Sequence, residues 1–295
     1  MYGAGHVSGH RPEPPTEAAA RERSGSSSAI AALAFDLDGT IYLQSQLLPG
    51  AAELLEALAD AGVPYVFATN NSSKTGEAYV HHLRALGIAV AREGIVTSND
   101  VAVGYLQREG FARPYLIATP DVAQEYAAHG FTAGGEHADC VVLTFDTTLT
   151  YEKLLVADRL LRRGVPYFAT HPDRVCPTLD GSIPDCGAFI ELLAASSGRR
   201  PLVLGKPEPF MAEAIGIRLG RPAAAIAFVG DRLYTDVRMA NDNGFHAVLT
   251  LTGEASRDDA AASTDQPDLI VDTLVSLHDH LEERGLIAAR KPAGT

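Results

Sequence analysis

The sequence predicts an α/β protein built on a parallel sheet, with a second, smaller α/β domain inserted into it. Three observations predict this class. From Ala29 onward, short apolar runs alternate with helix-length amphipathic segments, the rhythm of βαβ units. Several runs end in polar clusters, at Asp36, Thr69, Gly205-Lys206 and Gly230-Asp231, where an open α/β sheet gathers its ligands. The middle third keeps the rhythm without such clusters, which marks it as the insertion. A Rossmann-like core interrupted by an inserted domain accounts for all three.

The elements follow in chain order. Ile30 to Leu37 is an apolar run that reads as a buried strand, and Gly39 lets the chain turn where a side chain would obstruct it. A helix over Ala51 to Ala61 leads to the strand Pro64 to Thr69, and a helix over Thr75 to Leu86 leads to the strand Gly94 to Thr97. The helix Asp100 to Glu109 closes this part. Strands over Tyr115 to Ala118, Cys140 to Thr144 and Tyr167 to Thr170 belong to the middle third, with the helix Tyr151 to Arg163 before the last. Leu202 to Leu204 is a short strand ahead of the helix Pro209 to Leu219. Ala225 to Val229 precedes the helix Asp236 to Asn243, and His246 to Thr250 is the last strand. Short Gly-, Arg- and Pro-bearing linkers near 109–114 and 197–201 bound the insertion. The core therefore comprises residues 29–111 and 201–287, and the inserted domain residues 112–200. Residues 1–28, rich in Gly, Ser, Pro, Glu and Arg, cannot repay the entropy of ordering and read as a disordered tail, as do 288–295.

Bulk properties exclude several functions. A chain of 295 residues with 46% hydrophobic content has material for a real core. Its formal net charge of -13 argues against nucleic-acid or anionic-membrane partners, neither of which is drawn to that field. No apolar run approaches the ~20 residues of a membrane span, and Met1 to Ser28 lacks the apolar core of a signal peptide. A cytoplasmic location is expected. Cys140, Cys176 and Cys186 form no Cys-x-x-Cys pair, which fits reduced thiols and offers no zinc site.

The chemistry lies in the strand-end clusters. Alternation along the first strand sends Asp36 and Asp38 to the same side, where uncompensated charge is costly and a divalent cation is the usual remedy. Thr69-Asn70-Asn71-Ser72-Ser73-Lys74 supplies hydroxyl and amide donors before a helix, a place suited to phosphate or to an ordinary N-cap. Lys206 follows a buried strand, well placed to neutralise an anion, although a surface lysine fits the same position. Asp231 and Asp236 bracket the last such turn. Together the four clusters give oxygens for a hard cation, a carboxylate able to attack, donors and one cation, an inventory that fits phosphoryl transfer with Mg²⁺.

With these motifs in view, the chain resembles the haloacid dehalogenase (HAD) superfamily from Ala29 to about Leu281. Within it, the likeness is to the class IIA phosphatases, the group of NagD-like, 4-nitrophenyl and phosphoglycolate phosphatases. The motifs concerned are Asp36-Leu37-Asp38-Gly39-Thr40-Ile41-Tyr42, Thr69 to Lys74, Gly205-Lys206-Pro207-Glu208-Pro209 and Gly230 to Asp236. The resemblance implies a HAD core with a C2-type cap at the second insertion point, since only a short flap follows Tyr42. It implies Asp36 as nucleophile and metal ligand, and Asp38 as general acid and base, its main-chain carbonyl also on the metal. Thr69, Asn70 and Asn71 would hold the phosphoryl oxygens, Lys206 would neutralise them, and Asp231 would complete the Mg²⁺ site with Asp236 supporting it from behind. The cap loop His171 to Pro177 resembles the family's Asn-Pro-Asp substrate loop, with Asp173 and Cys176 toward the substrate. His171 stands where Asn is usual, and Thr147 follows Asp146 where many members have Arg. The implied function is an Mg²⁺-dependent phosphomonoester hydrolase, working through an aspartyl phosphate on a small metabolite: a sugar, polyol, glycolate or nucleotide monophosphate. A phosphotransferase of the same fold and a non-catalytic phospho-ligand-binding protein are the alternatives, and a homodimer through the cap is the implied assembly.

Overall fold

The computed structural model describes residues 30–178 and 180–289. The expected N-terminal tail, and the C-terminal tail beyond Ala289, lie outside the described residues. The chain enters through β1 (Ala32–Phe35), a flap of β2 (Tyr42–Leu43) and β3 (Gln46–Leu47), α1 (Ala51–Asp60), β4 (Tyr65–Thr69), α2 (Gly76–Ala85), β5 (Ile95–Thr97) and α3 (Ser98–Arg108). It then forms β6 (Pro114–Ile117), α4 (Pro120–Ala128), β7 (Cys140–Leu143), α5 (Tyr151–Arg162), β8 (Tyr167–Ala169), the hairpin β9 (Val175–Thr178) and β10 (Gly181–Pro184), α6 (Cys186–Ser197) and β11 (Leu202–Val203). It returns through α7 (Pro209–Leu219), β12 (Ile226–Gly230), a π-helical turn (Leu233–Val237), α8 (Arg238–Asn243), β13 (His246–Thr250), α9 (Arg257–Ala262), β14 (Leu269–Val271) and α10 (Leu274–Glu283).

Six strands make one parallel sheet in the order β14-β13-β12-β1-β4-β5. β1 is flanked by β4 on one side and by β12 on the other, so the winding reverses beside it, and a ligand crevice belongs at that point. The register fixes the crevice. Phe35 pairs with both Val229 and Phe67, which brings the carboxyl ends of three strands level. β1 reads Ala-Leu-Ala-Phe and is buried throughout, as a strand covered on both faces must be.

A second parallel sheet, β11-β8-β7-β6, carries the insertion. It corrects one boundary. Leu202–Val203 pairs with Phe168 and Ala169 in this sheet, and the Leu204 N–H donates to the Ala169 carbonyl at 2.9 Å, so the sheet runs past the limit expected at residue 200. A two-residue strand is too short for its apolar pattern to say which sheet it joins. One apolar cluster spans both sheets, with Tyr105 of α3 against Phe168 of β8 and Phe210 of α7 at ring separations of 5.3 and 5.2 Å.

Local chemistry explains the helix ends. Thr97 and Asp100 form a reciprocal capping box on α3, and Asp185 caps α6. The helix expected from Asp236 instead begins as the π turn at Leu233, where the Val237 N–H donates to the Arg232 carbonyl at 3.2 Å. That widened turn lets the Asp236 carboxylate accept the Arg232 N–H at 3.1 Å. Helices α4, α6, α9 and α10, the β9–β10 hairpin and β14 add to the elements read from the sequence.

Candidate active site

Asp36 leaves β1 directly, its N–H donating to the Val229 carbonyl at 2.8 Å. Three glycines then make room for carboxylates. A Cβ at Gly39 or Gly253 would collide with the Asp231 carboxylate, and one at Gly230 with that of Asp236. Gly39 also has φ +89°, in the left-handed region that favours glycine. The chain here is shaped around acidic groups.

Asp36, Asp231 and Asp236 are all buried, and each offers an oxygen within 4.8 Å of the others. Lys206 is buried among them. Its Nζ lies 2.5 Å from Asp36 Oδ1 and 2.8 Å from Asp236 Oδ1, and it donates to the Ala68 carbonyl at 3.3 Å. Burial pushes the Asp36 carboxyl well above its ordinary range, Lys206 opposing the shift and Asp236 and Asp231 adding to it. Burial likewise pushes Asp231 up to about 7, helped by Asp236. Burial would lower Lys206, but Asp236 and Asp36 hold its ammonium above the usual value. With all three acids ionised, one ammonium would leave two negative charges for a dication to balance, and the raised carboxyls of Asp36 and Asp231 are what burial and such crowding without a cation produce. Asp231 Oδ1 is buried with no hydrogen-bond partner, while Oδ2 accepts the Glu254 N–H at 2.7 Å. The residues therefore fit a hard divalent cation such as Mg²⁺: the donors are all oxygens, the surplus charge is right, and one buried oxygen awaits a partner.

The phosphate-side residues prove more engaged than their types suggest. Asn70 Oδ1 accepts the Lys206 N–H at 2.8 Å, and Asn70 Nδ2 donates to the Lys206 carbonyl at 3.0 Å and to Asp173 Oδ2 at 3.1 Å. Its amide thus grips the lysine's main chain on both sides. Asn71 Oδ1 accepts from the Ser73 N–H and hydroxyl at 3.1 and 2.7 Å. Thr69, Asn70 and Asn71 all line the site's cavity, and the Asn71 bonds engage only its oxygen. Ser72 reaches into the insertion, bonding Thr170 Oγ1 at 2.8 Å and accepting the Phe145 N–H at 2.8 Å.

Asp38, Thr69, Asn70, Asn71 and Lys206 line one cavity with Asp173 and Cys176 from the insertion. Its volume is about 30 Å³, scarcely two waters. Burial lifts the Asp38 carboxyl against the pull of Lys74 and Arg232. Burial and then Asp185 push the Cys176 thiol up to about 11, so it stays protonated at neutral pH and is no nucleophile. Burial tends to raise Asp173, yet its contacts with His171, Arg232 and Asn70 hold it down at about 2. His171 is fully buried, with Nδ1 3.3 Å from Asp173 Oδ2 and Nε2 3.5 Å from Asp185 Oδ1.

Three features escaped the motif reading. Arg232 reaches Asp173 Oδ2 at 3.5 Å and Glu254 Oε2 at 3.0 Å, joining core to insertion. Asp185 lines the cavity from the start of α6. Gly253-Glu254 closes on Asp231 just after β13, whose end is a fifth polar strand end that the strand-end rule could have found.

Comparison with known proteins agrees with this geometry. Residues 33–132 match the family model of haloacid dehalogenase-like hydrolases, and residues 203–277 match that of HAD-hydrolase-like domains. The 5'-nucleotidase YutF of Bacillus subtilis is 32% identical over 240 residues, 81% of this chain and 94% of that protein. The structure of a 4-nitrophenylphosphatase from Thermotoga maritima superposes with a TM-score of 0.82 at 41% identity, covering 85% of this chain and 97% of that one. A glycerol phosphate phosphatase from Mycobacterium tuberculosis, solved in complex with calcium, gives a TM-score of 0.77 at 31% identity, covering 84% and 74%. A carboxylate cluster at a winding reversal, a buried lysine bridging it and these likenesses converge: the chain belongs to the haloacid dehalogenase-like hydrolases, in the branch of NagD and the 4-nitrophenylphosphatases.

Proposed function

We propose that this phosphatase hydrolyses small phosphomonoesters with Mg²⁺, carrying the phosphoryl group on Asp36. The supporting observation is the buried junction of Lys206 with Asp36 and Asp236, at 2.5 and 2.8 Å, inside a cluster of three acidic side chains whose oxygens lie within 4.8 Å of one another. Asp36, Asp231 and the Asp38 carbonyl would hold the ion with Asp236 beside them, and the bound ion would neutralise phosphoryl oxygens and keep Asp36 ionised. The Asp36 carboxylate attacks phosphorus and the ester P–O bond breaks. Asp38, its carboxyl lifted by burial, gives a proton to the departing oxygen. Asp38 then takes a proton from water, which attacks phosphorus, breaks its bond to Asp36 and frees phosphate. Lys206 offsets the charge throughout, and the Thr69 hydroxyl donates to a phosphoryl oxygen.

The segment from residue 112 to β11 acts as the cap. A cavity of about 30 Å³ holds no whole substrate, so the cap lifts to admit one. The three relatives named above carry different substrates in their names, which supports a leaving group chosen by the cap. Three free cysteines, two of them buried, favour a reducing cytoplasm. Exposed Val175 and Ile183 on the β9–β10 hairpin give a homodimer an apolar contact, to be checked by light scattering.

The test is release of 4-nitrophenolate from 4-nitrophenyl phosphate. Turnover should require Mg²⁺, and equal rates in excess chelator would overturn the proposal. Gly253→Ala is expected to keep the fold and lose about 10- to 100-fold in kcat/KM, because Asp231 has to move aside. Unchanged kinetics would show that Asp231 does not need its present position.

A further inference from the structure

An open α/β sheet gathers its ligands just outside the carboxyl ends of its strands, and the parallel sheet of the cap, β11-β8-β7-β6, has such a row of ends. The core's own loop from Asn70 to Gly76 fills that position. Just past β6, the Thr119 hydroxyl donates to the Ser73 carbonyl at 3.1 Å. Just past β7, the Phe145 N–H donates to Ser72 Oγ at 2.8 Å. Thr170, directly after β8, shares a 2.8 Å hydrogen bond with the same Ser72 hydroxyl. The strand β11 runs on to Gly205 and Lys206, and a Cβ at Gly205 would collide with the Thr170 carbonyl and the Asn70 amide oxygen. Beyond the strand ends, Glu125 of α4 accepts the Gly76 N–H at 3.0 Å.

Ser72 is the centre of this seam. It and Thr170 are fully buried, so a polar partner lost from either is not replaced by water. From the core side, Asn99 donates to the Ser72 and Lys74 carbonyls at 3.2 Å, and Ser98 donates to the Asn70 carbonyl at 2.6 Å. The core thus holds main-chain carbonyls, while the Ser72 side chain is left to the cap. Thr69, Asn70 and Asn71, immediately before Ser72, line the catalytic cavity. The stretch that would meet a phosphoryl group is continuous with the stretch the cap grips.

We infer that Ser72 and Thr170 are positioning residues for phosphate: through them the cap's sheet sets the loop that receives the phosphoryl group, and so contributes to phosphate affinity whatever the leaving group. The inference deepens the phosphomonoesterase reading and rests on it.

Two substitutions at Thr170 test it. Thr170→Val keeps the shape of the side chain and removes the hydroxyl, whereas Thr170→Ser keeps the hydroxyl. With Mg²⁺ present, inorganic phosphate should inhibit hydrolysis of 4-nitrophenyl phosphate about 3- to 10-fold more weakly in Thr170→Val than in wild type, the scale of one hydrogen bond. Values of kcat/KM for 4-nitrophenyl phosphate and glycerol 3-phosphate should fall by one common factor, and Thr170→Ser should restore both readouts. A merely structural role would lower the melting temperature and leave phosphate inhibition where it was. Unchanged phosphate inhibition in folded Thr170→Val overturns the inference, because the core alone would then set the loop. Losses that differ between the two esters overturn it as well, since Thr170 would then act on the leaving group. Should Thr170→Val fail to fold, Thr119→Val, which removes the bond to the Ser73 carbonyl in the same seam, is read in the same way. Wild-type turnover combined with unaltered phosphate affinity in the variants sinks this inference alone, whereas no turnover of any ester by wild type sinks the function proposed above with it.

Discussion

Asp36→Asn is expected to abolish turnover, by about 10⁴-fold or more, the scale on which removal of a nucleophile acts. The amide is isosteric and still accepts from Lys206, so the fold and the positions of Asp231 and Asp236 should persist. The protein should therefore melt near the wild-type temperature and lose chemistry alone. Asn also removes one of three crowded carboxylates whose burial and mutual repulsion raise Asp36, so no stability penalty is expected from lost charge. The measurement is single-turnover phosphate release alongside thermal denaturation. Residual activity within about tenfold of wild type would mean that water attacks the ester directly and that Asp36 has another task.

Lys206→Met should damage both activity and stability. Removing one partner from a buried ion cluster leaves the others uncompensated, a change that costs about 3–5 kcal/mol. Here the ammonium faces two carboxylates at 2.5 and 2.8 Å, with Asp231 close behind, so a value within that range is expected from urea unfolding without divalent cation. The sign with pH follows from the direction of the shift. The folded-state Lys206 titrates above its unfolded value, so its contribution is fully present below the ordinary lysine value, ~10.4, and is lost only as pH rises through the higher folded value. The wild-type advantage should accordingly hold across neutral and mildly alkaline pH. A variant that unfolds within about 1 kcal/mol of wild type would show that the cluster is neutralised by protonation instead.

The sequence made the fold class and the gathering of acidic strand ends readable for a simple physical reason. A parallel sheet buries its strands on both faces, so charged residues at the strand ends stand out from the apolar runs before them. Asp36, Lys206 and Asp231 were visible in this way. Close approach was not. Nothing in the composition of Gly230 or Gly253 says that a carboxylate occupies the space a Cβ would fill, and nothing in Asn70 says that its amide is bonded to a residue 136 positions away. Arg232 was hidden beside Asp231 because its partners, Asp173 and Glu254, come from distant turns. Leu202–Val203 was assigned to the core because a two-residue strand carries no periodicity with which to choose a sheet.

The Asn70 amide has a final consequence for how the site is held. Two of its bonds fasten the peptide groups on either side of the Lys206 Cα, and the third is to the Asp173 carboxylate of the inserted segment. One side chain therefore ties the backbone that carries the ammonium to the opposite wall of the cavity, and any strain on Asp173 reaches the lysine through a single amide.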